Sequence, residues 1–331
     1  MNKTNEKVCR ICGSSDLTTF NVREMMFGTK VEFLYAECKT CGCFQLCDIP
    51  KDMSPYYPNS YYSLLASPDD NYKNPLEKIT RKIRDKYAVS SKGLLGKLLY
   101  KFYPNETIMS LAQAKIKSTT RILDVGCGKG QLLYSLRELG YENLLGVDPY
   151  LEQDIKYSNG LAIQKKPIDQ IEGEWDLIML HHVIEHLESP ALTLQVIDKH
   201  LSKDGICLIR TPIVPCLVWD QYNSDWIQLD APRHLTIFSV LGIKCLLENT
   251  NLRIDKAFYD STTLQFWGSE QYKNDISLWA ENSYRINAEK SIFSKEVIKD
   301  FQRQTTNLNK MSALEGNKGA DQIVIYLTHK S

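Results

Sequence analysis

From residue 119 onward, short apolar runs alternate with segments whose apolar residues recur at helical spacing. The apolar runs predict strands at 121–123, 143–147, 175–180, 206–210, 252–259 and 322–328. Helices are predicted at 131–139, 190–200 and 240–247, and serines at 189 and 239 suit the starts of the last two. This alternation indicates an α/β fold with a mostly parallel, doubly wound sheet and helices on both faces. Ligands of such sheets bind at the carboxyl ends of the strands.

Two helical patterns with many basic residues precede this region. In the first, Leu76, Ile79, Ile83 and Tyr87 share one face, and apolar residues at 94–102 form the second. A basic amphipathic element could meet anionic lipid or substrate phosphates. The alternative, which we favour at this stage, is a pair of solvated helices whose apolar faces cover the catalytic domain.

Composition is that of a soluble enzyme. The chain has 331 residues, about two domains by length, and 43% hydrophobic residues suffice for a core. Its formal net charge of zero argues against a general attraction to nucleic acid. The polar residues 1–7 lack a signal core, and no run of about 18 apolar residues predicts a membrane span. We therefore expect a cytoplasmic protein whose ten cysteines are reduced thiols or metal ligands.

Two C-x-x-C-G motifs near the start predict a metal site. Two residues between cysteines place both sulfurs on one side of a tight turn, and two such turns supply four thiolates for tetrahedral zinc. The predicted ligands are Cys9, Cys12, Cys38 and Cys41. Four thiolates close the coordination sphere, so this zinc is structural. Cys43 and Cys47 lie nearby and could replace a ligand, and a C-x-x-C pair can also be a redox pair.

A glycine-rich loop joins the first predicted strand of the α/β region to its helix. Asp124 precedes Gly126, Gly128 and Gly130, a G-x-G-x-G spacing that differs from the G-x-G-x-x-G of dinucleotide sites. Glycines allow a ligand to approach the backbone closely. Asp148 ends the next apolar run, where a carboxylate can accept both hydroxyls of a ribose.

These residues resemble motif I and the following acidic position of class I S-adenosylmethionine-dependent methyltransferases. The resemblance implies S-adenosylmethionine as cofactor and a Rossmann-like, seven-stranded sheet. The residues it assigns to cofactor binding are Asp124, Gly126, Cys127, Gly128, Gly130, Asp148, Pro149 and His181.

The segment after the 175–180 strand carries the candidate catalytic groups. His182, Glu185 and His186 have H-x-x-E-H spacing, which also occurs in metalloproteases, although nothing else here indicates hydrolysis. An E-H-L sequence at this place is similar to the segment after the fourth strand of methyltransferases. In ubiquinone O-methyltransferases a similar E-x-x-E-H holds a divalent ion, and His182 here replaces the first glutamate. In sugar C-methyltransferases the E-H pair lies beside the substrate, which implies His186 as general base with Glu185 assisting.

The stretch from Trp226 through P-R-H-L to Phe238-Ser239 resembles methyltransferases of surface-polysaccharide and deoxysugar pathways. Arg233 could hold a phosphate or carboxylate bidentately, and His234 is a rival base. The resemblance assigns substrate contacts to Tyr61, Tyr62, Arg233, Trp226 and Gln265.

The expected organisation is a small N-terminal zinc-binding β domain at 1–50, an aromatic linker with basic helices covering the active site at 51–118, and a class I methyltransferase domain at 119–331. Acceptor-binding insertions are expected at about 212–240 and 260–320.

The expected function is transfer of a methyl group from S-adenosylmethionine to a sugar nucleotide or glycan-related small molecule, by O-methylation. C-methylation of a deoxysugar nucleotide is an alternative. Sugar C-methyltransferases with this N-terminal zinc ribbon carry a further C-terminal domain that this chain is too short to hold. This difference favours O-methylation over C-methylation. An RNA methyltransferase that uses the ribbon to bind RNA is a second alternative, disfavoured by the neutral charge, and a scaffold without catalysis is a third.

Overall fold

The computed structural model describes residues 8–57, 67–314 and 318–330. The substrate contacts predicted at Tyr61 and Tyr62 lie outside these residues. The strands are β1 (Leu17–Arg23), β2 (Glu32–Cys38), β3 (Phe44–Leu46), β4 (Ile122–Val125), β5 (Leu144–Val147), β6 (Ile155–Lys156), β7 (Ala162–Gln164), β8 (Trp175–His181), β9 (Leu201–Val214), β10 (Thr236–Ser239), β11 (Leu252–Tyr259) and β12 (Gln322–His329). The α-helices are α1 (Pro75–Ser90), α2 (Leu94–Phe102), α3 (Glu106–Met109), α4 (Gln131–Glu138), α5 (Pro190–His200), α6 (Leu217–Tyr222), α7 (Val240–Leu247), α8 (Leu264–Lys273) and α9 (Lys295–Leu308).

Seven strands correspond to the sheet predicted for the α/β region, and among the described residues they belong to a continuous 12-stranded sheet in which β6 pairs antiparallel with β7 at one edge. Their order is β7-β5-β4-β8-β9-β12-β11, and β12 runs antiparallel to both of its neighbours. The pairs from β7 to β9 are parallel. Since β4 lies between β5 and β8, the loop after β4 lies where the strand order reverses, which is where ligands of such sheets bind. The prediction of a Rossmann-like, doubly wound sheet is confirmed.

Apolar side chains from the central strands cover both faces of this sheet. On β4, Ile122 enters one apolar cluster and Leu123 enters the other. Along β8, Ile178 belongs to the same cluster as Leu123, whereas Met179 belongs to that of Ile122. Successive side chains of a strand point to opposite faces, so a strand that is apolar throughout must be buried on both faces.

The N-terminal β region joins the same sheet. Strands β1, β2 and β3 are antiparallel, and β3 pairs with β10, which in turn pairs with the end of β9. A β region with the cysteine motifs was predicted, but strand β10 was not. Because β3 and β10 are hydrogen-bonded, the N-terminal region is continuous with the main sheet.

The helices before β4 differ from the expectation. The prediction that their apolar faces cover the catalytic domain is wrong for α2, whose Leu94 and Phe102 are 89% and 67% exposed. The only buried residue of α2 is Gly96, and a Cβ atom there would lie 2.5 Å from Cβ of Tyr87 on α1. Close packing at Gly96 turns the opposite, leucine-rich side of α2 outward. None of the helices in the described part of the chain has the length and apolarity needed to cross a membrane.

Candidate functional site

The glycine loop follows β4 with three residues in the left-handed region. Gly126, Gly128 and Gly130 have φ values of 66°, 54° and 74°. A Cβ atom at Gly126 would lie 2.6 Å from Val183, and one at Gly130 would lie 2.5 Å from Ile163. The backbone conformation of all three residues favours glycine, and at Gly126 and Gly130 the packing requires it as well. Gly130 is the N-cap of α4, so the loop ends at a helix N-terminus.

Asp148, directly after β5, is hydrogen-bonded to this loop. Its Oδ2 accepts from the Gly128 N–H at 2.9 Å, and its Oδ1 accepts from the Tyr150 N–H at 2.9 Å. A carboxylate oxygen has more than one acceptor direction, so these bonds orient the group and leave capacity for ligand hydroxyls. Pro149, next to it, is exposed.

Two further predicted cofactor residues are Asp124, which is buried on β4, and Cys127, which is half-buried within the loop. Burial, with a contribution from the charge of Asp148, raises the pKa of Asp124 to about 8. Burial also raises the pKa of the Cys127 thiol. A Cβ atom at Gly146 would lie 2.6 Å from Cys127 Sγ, so this thiol packs against β5 and supports the loop from behind.

His181 ends β8, one residue beyond the pair formed by Leu180 and Val125 of β4. Both of its ring nitrogens are buried, with no hydrogen-bond partner among the described residues. Burial lowers the pKa of His181 well below its usual value, so the ring is neutral and carries one donor and one acceptor. Buried polar atoms without partners are costly, which suits a place where a polar ligand binds.

His182 has a left-handed backbone (φ 54°) and connects two charged groups. Its Nε2 lies 3.0 Å from Arg210 Nη1, and its Nδ1 lies 3.1 Å from Glu185 Oε1. A guanidinium can only donate, so Nε2 accepts and the Nδ1–H donates to Glu185. His182 is therefore held in one tautomer as a connector.

Glu185 is fully buried and receives two hydrogen bonds. Besides the bond from His182, its Oε2 accepts from Thr211 Oγ1 at 3.0 Å. Burial alone would raise the pKa of Glu185, but the hydrogen bond from His182 and the nearby histidines outweigh it and lower the pKa to about 2. No sequence motif around Thr211 could have indicated its contact with Glu185.

His186 and His234 lie against each other, with ring centroids 4.7 Å apart. His186 Nδ1 is 2.9 Å from the Arg233 carbonyl oxygen, and His234 Nδ1 is 2.6 Å from that of Gln228. Since a carbonyl only accepts, each neutral ring carries its proton on Nδ1 and a lone pair on Nε2. The group that orients His186 is thus the Arg233 carbonyl. The sequence had instead suggested Glu185 as the residue that assists His186.

Two observations separate these histidines. His234 is buried, and burial lowers its pKa to about 4, whereas His186 is only partly buried. Tyr57 Oη also lies 3.4 Å from His186 Nδ1, a contact that sequence spacing could not indicate. One ligand atom each from Glu185, His186 and His234 lies within 4.8 Å of the others. A divalent ion bound here would therefore be held by Glu185, His186 and His234. The sequence had suggested His182 in place of His234.

Three predicted substrate contacts lie in the core. Arg233 is 0% exposed and pairs with Asp230 at 2.7 Å and with Glu24 at 3.0 Å. Trp226 is 1% exposed, and its Nε1 donates to Asp321 at 3.0 Å. Gln265 is also 1% exposed and is hydrogen-bonded inside the protein. Polar atoms of all three already have partners inside the protein, so their predicted contact with a substrate stays a prediction that burial disfavours.

The four cysteines of the C-x-x-C motifs come together. Cys9 and Cys41 sulfurs are 3.6 Å apart, those of Cys12 and Cys38 are 3.5 Å apart, and all four lie within 4.8 Å of one another. Tetrahedral zinc with Zn–S bonds of about 2.3 Å separates its sulfurs by roughly 3.8 Å. The donor set therefore fits a Cys₄ zinc ion.

The alternative ligand Cys43 has another role. Its sulfur accepts from the Ser239 N–H at 3.4 Å, and Ser239 also caps α7 through a 2.8 Å bond from the Gly242 N–H. Cys43 thus links the cysteine region to the start of α7 and does not belong to the four-sulfur group.

Comparison with known proteins identifies the central part of the chain. Residues 100–257 match a family model described as a methyltransferase domain. These residues form a methyltransferase domain. The prediction of such a domain is confirmed, and its matched part contains the glycine loop, Asp148 and the histidine segment.

Individual relatives share this domain. The ubiquinone biosynthesis O-methyltransferase of Psychrobacter cryohalolentis is 29% identical over 104 residues, which cover 28% of this chain and 40% of that protein. The protein of the same name from Rickettsia bellii is 25% identical over 154 residues, covering 42% and 64%. The chain thus spans less than two thirds of these relatives. The solved structure of the cyclopropane synthase MmaA2 from Mycobacterium tuberculosis has a TM-score of 0.43 and 14% identity, covering 81% of this chain and 97% of that one.

Proposed function

We propose that this protein is an S-adenosylmethionine-dependent methyltransferase that methylates a hydroxyl oxygen of a sugar nucleotide or glycan-related small molecule. The observation that carries the proposal is the glycine loop bonded to Asp148 at the reversal of strand order. Asp148 would accept the ribose hydroxyls, and the loop glycines would let the cofactor lie against the backbone. When bound, S-adenosylmethionine supplies a methyl group already activated on a sulfonium.

The chain's own residues then have to orient the acceptor and remove its proton. His186 follows β8 at the ligand edge of the sheet, and its Nδ1 is held by a backbone carbonyl, which leaves Nε2 to take a hydroxyl proton. A neutral imidazole suits this role near neutral pH. His181, with its unpartnered nitrogens, would donate to or accept from the bound ligand.

Oxygen as the methylated atom is supported by two points. A hydroxyl acceptor needs a base, and the imidazole of His186 lies at the ligand edge of the sheet. The two relatives described above are also named as O-methyltransferases. The sugar-type acceptor rests on the resemblance of the Trp226–Ser239 stretch. Incubating the protein with S-adenosylmethionine and candidate sugar nucleotides, and measuring a mass gain of one methyl group, tests the acceptor directly.

Cofactor binding depends on the glycine loop, so Gly128→Val should abolish binding of S-adenosylhomocysteine in isothermal titration calorimetry. Valine at φ 54° is strained, and its side chain would occupy the loop. Asp148→Ala should weaken binding about 10- to 100-fold, the scale of losing hydrogen bonds to a charged group. Gly140→Val is the matched control, since Gly140 has φ 94° but open space around it. Wild-type affinity for a nicotinamide dinucleotide, with none for S-adenosylhomocysteine, would refute the proposal.

We also propose that Cys9, Cys12, Cys38 and Cys41 hold one structural zinc ion. Elemental analysis should find about one zinc per chain, lost in Cys12→Ser and Cys41→Ser together with thermal stability, because closed thiolate sites contribute directly to folding. Cys47→Ser, a nearby cysteine outside the four-sulfur group, should keep its zinc. A zinc content of one ion per chain in both Cys12→Ser and Cys41→Ser would show that other residues bind the metal.

A small acceptor and RNA predict different salt dependence. With a small sugar derivative, activity should change little between 50 and 200 mM salt and survive nuclease treatment. RNA binding would fall steeply over the same range, because lysines and arginines release counterions from phosphates. A steep salt dependence of binding to bulk RNA would favour the RNA methyltransferase alternative.

A further inference from the structure

The hairpin of α1 and α2 exposes a large apolar surface. On α2, Leu94, Leu95, Leu98 and Phe102 are 89%, 57%, 54% and 67% exposed. Most surface leucines occur singly, whereas a contiguous exposed apolar patch usually marks an interaction surface. We refer to these four side chains as the outward face of α2.

Helical spacing places the four residues on one side. Leu94, Leu98 and Phe102 follow each other at intervals of four, and Leu95 lies beside them. On the opposite side, Gly96 packs against Tyr87 and the Ile83 carbonyl of α1. The helix cannot turn its leucines inward without breaking this contact.

Basic residues are concentrated in the hairpin that carries the outward face. The stretch from Pro75 to Phe102 contains eight lysines and arginines and two acidic residues, although the chain as a whole has equal numbers of both. One of the two acids, Asp85, is buried and paired with Arg84 at 2.7 Å. Lys97 and Lys101 lie on α2 beside the apolar stripe, and both are exposed. The surface therefore suits a partner that is both apolar and anionic.

We propose that the outward face of α2 docks onto the surface of an anionic phospholipid bilayer. The leucines and Phe102 would enter the boundary between headgroups and acyl chains, while the lysines stay at the headgroups. A second copy of the chain would bring like charges together across the interface, which disfavours a dimer through this face. RNA as the partner would account for the basic residues of this surface but not for its exposed leucines.

The hairpin is attached to the methyltransferase domain. Lys78 and Lys82 of α1 lie 2.8 and 3.8 Å from Glu138 at the end of α4. Ala88 and Val89 of α1 belong to an apolar cluster that also contains Ile122 of β4. Docking of α2 would therefore hold the whole domain at the bilayer. This inference does not depend on the identity of the acceptor.

Flotation of the full chain with vesicles tests the proposal. Wild type should bind vesicles of phosphatidylglycerol and phosphatidylcholine and should bind pure phosphatidylcholine much more weakly. Leu98→Glu and Phe102→Glu should each lower the partition coefficient at least about tenfold, since each withdraws a large apolar side chain. The double variant Lys97→Gln/Lys101→Gln should lower it about 30-fold on anionic vesicles. Leu192→Glu, at a leucine of α5 that is 60% exposed, is the matched control and should bind like wild type.

Three results would overturn the inference. Wild type could stay in the soluble fraction with anionic vesicles, or Leu98→Glu could bind as well as wild type. Sedimentation velocity could instead show a dimer that Leu98→Glu converts to a monomer, which would make the face a contact between copies. S-adenosylhomocysteine titration of the same variants is expected to match wild type, so failure here is distinguishable from failure of the proposed methyltransferase function.

Discussion

Replacing His186 with alanine is expected to lower turnover by about 10²-fold or more, the usual scale for losing a general base. The ring of His186 is oriented by the Arg233 carbonyl at 2.9 Å and is less buried than that of His234. Affinity for S-adenosylhomocysteine should stay near wild type, because the glycine loop and Asp148 are untouched. Turnover is measured as methyl transfer to the acceptor found in the mass-gain screen.

His234→Ala is the matched control for this prediction. Its ring packs on His186 but is itself buried, so its loss should reduce stability more than chemistry. If His234→Ala abolishes turnover and His186→Ala does not, the two roles are reversed. If neither substitution lowers turnover, the proton of the acceptor hydroxyl is transferred to solvent, and the protein promotes methyl transfer only by orienting the reactants.

Replacing Arg233 with methionine should lower the free energy of unfolding by about 3–5 kcal/mol, the cost of leaving buried charges without a partner. Arg233 lies between Asp230 and Glu24, and both Arg233 and Glu24 are 0% exposed. Burial alone would raise the pKa of Asp230, but the charge of Arg233 outweighs it and lowers that pKa. Urea unfolding measures the effect.

The adjacent Arg23 offers a matched control. It pairs with Asp225 at 3.0 Å and Asp275 at 2.8 Å, but its side chain is 32% exposed. Arg23→Met should cost less than about 1 kcal/mol, because exposed ion pairs are weak. Equal losses for the two arginines would show that burial of the Arg233 cluster does not determine its contribution.

This cluster also explains how the N-terminal region is held. Glu24 follows β1, whereas Arg233 and Asp230 come just before β10. Glu24 further accepts backbone N–H bonds from Phe27 at 2.9 Å and Thr29 at 3.0 Å. A buried ion cluster and the β3–β10 strand pair therefore connect the cysteine region to the methyltransferase sheet.

Features that depend on neighbours in the chain were read correctly from the sequence. Helices at Pro190–His200 and Val240–Leu247 and the strand at Leu252–Tyr259 have the predicted bounds. The glycine-rich loop between a strand and a helix was predicted from its spacing, and the structure adds that its three glycines are left-handed. The grouping of the four cysteines also follows from local turns, since each C-x-x-C places two sulfurs on one side of a turn. Strand β9 is longer than predicted, because its start at Leu201 pairs with Trp175 across an irregular register that has no sequence signature.

The roles of individual polar residues were decided only by the tertiary structure. Arg233 and Trp226 carry groups suited to a substrate, yet the fold brings Glu24 and Asp321 to them from distant positions and buries all four. His186 is oriented by a carbonyl 47 residues away, a partner that spacing cannot reveal. Local patterning determined the main strands and helices of the α/β region, the glycine loop and the cysteine turns, because backbone conformation responds to near neighbours. Long-range packing decided which polar groups are satisfied inside the protein and which remain available to a ligand.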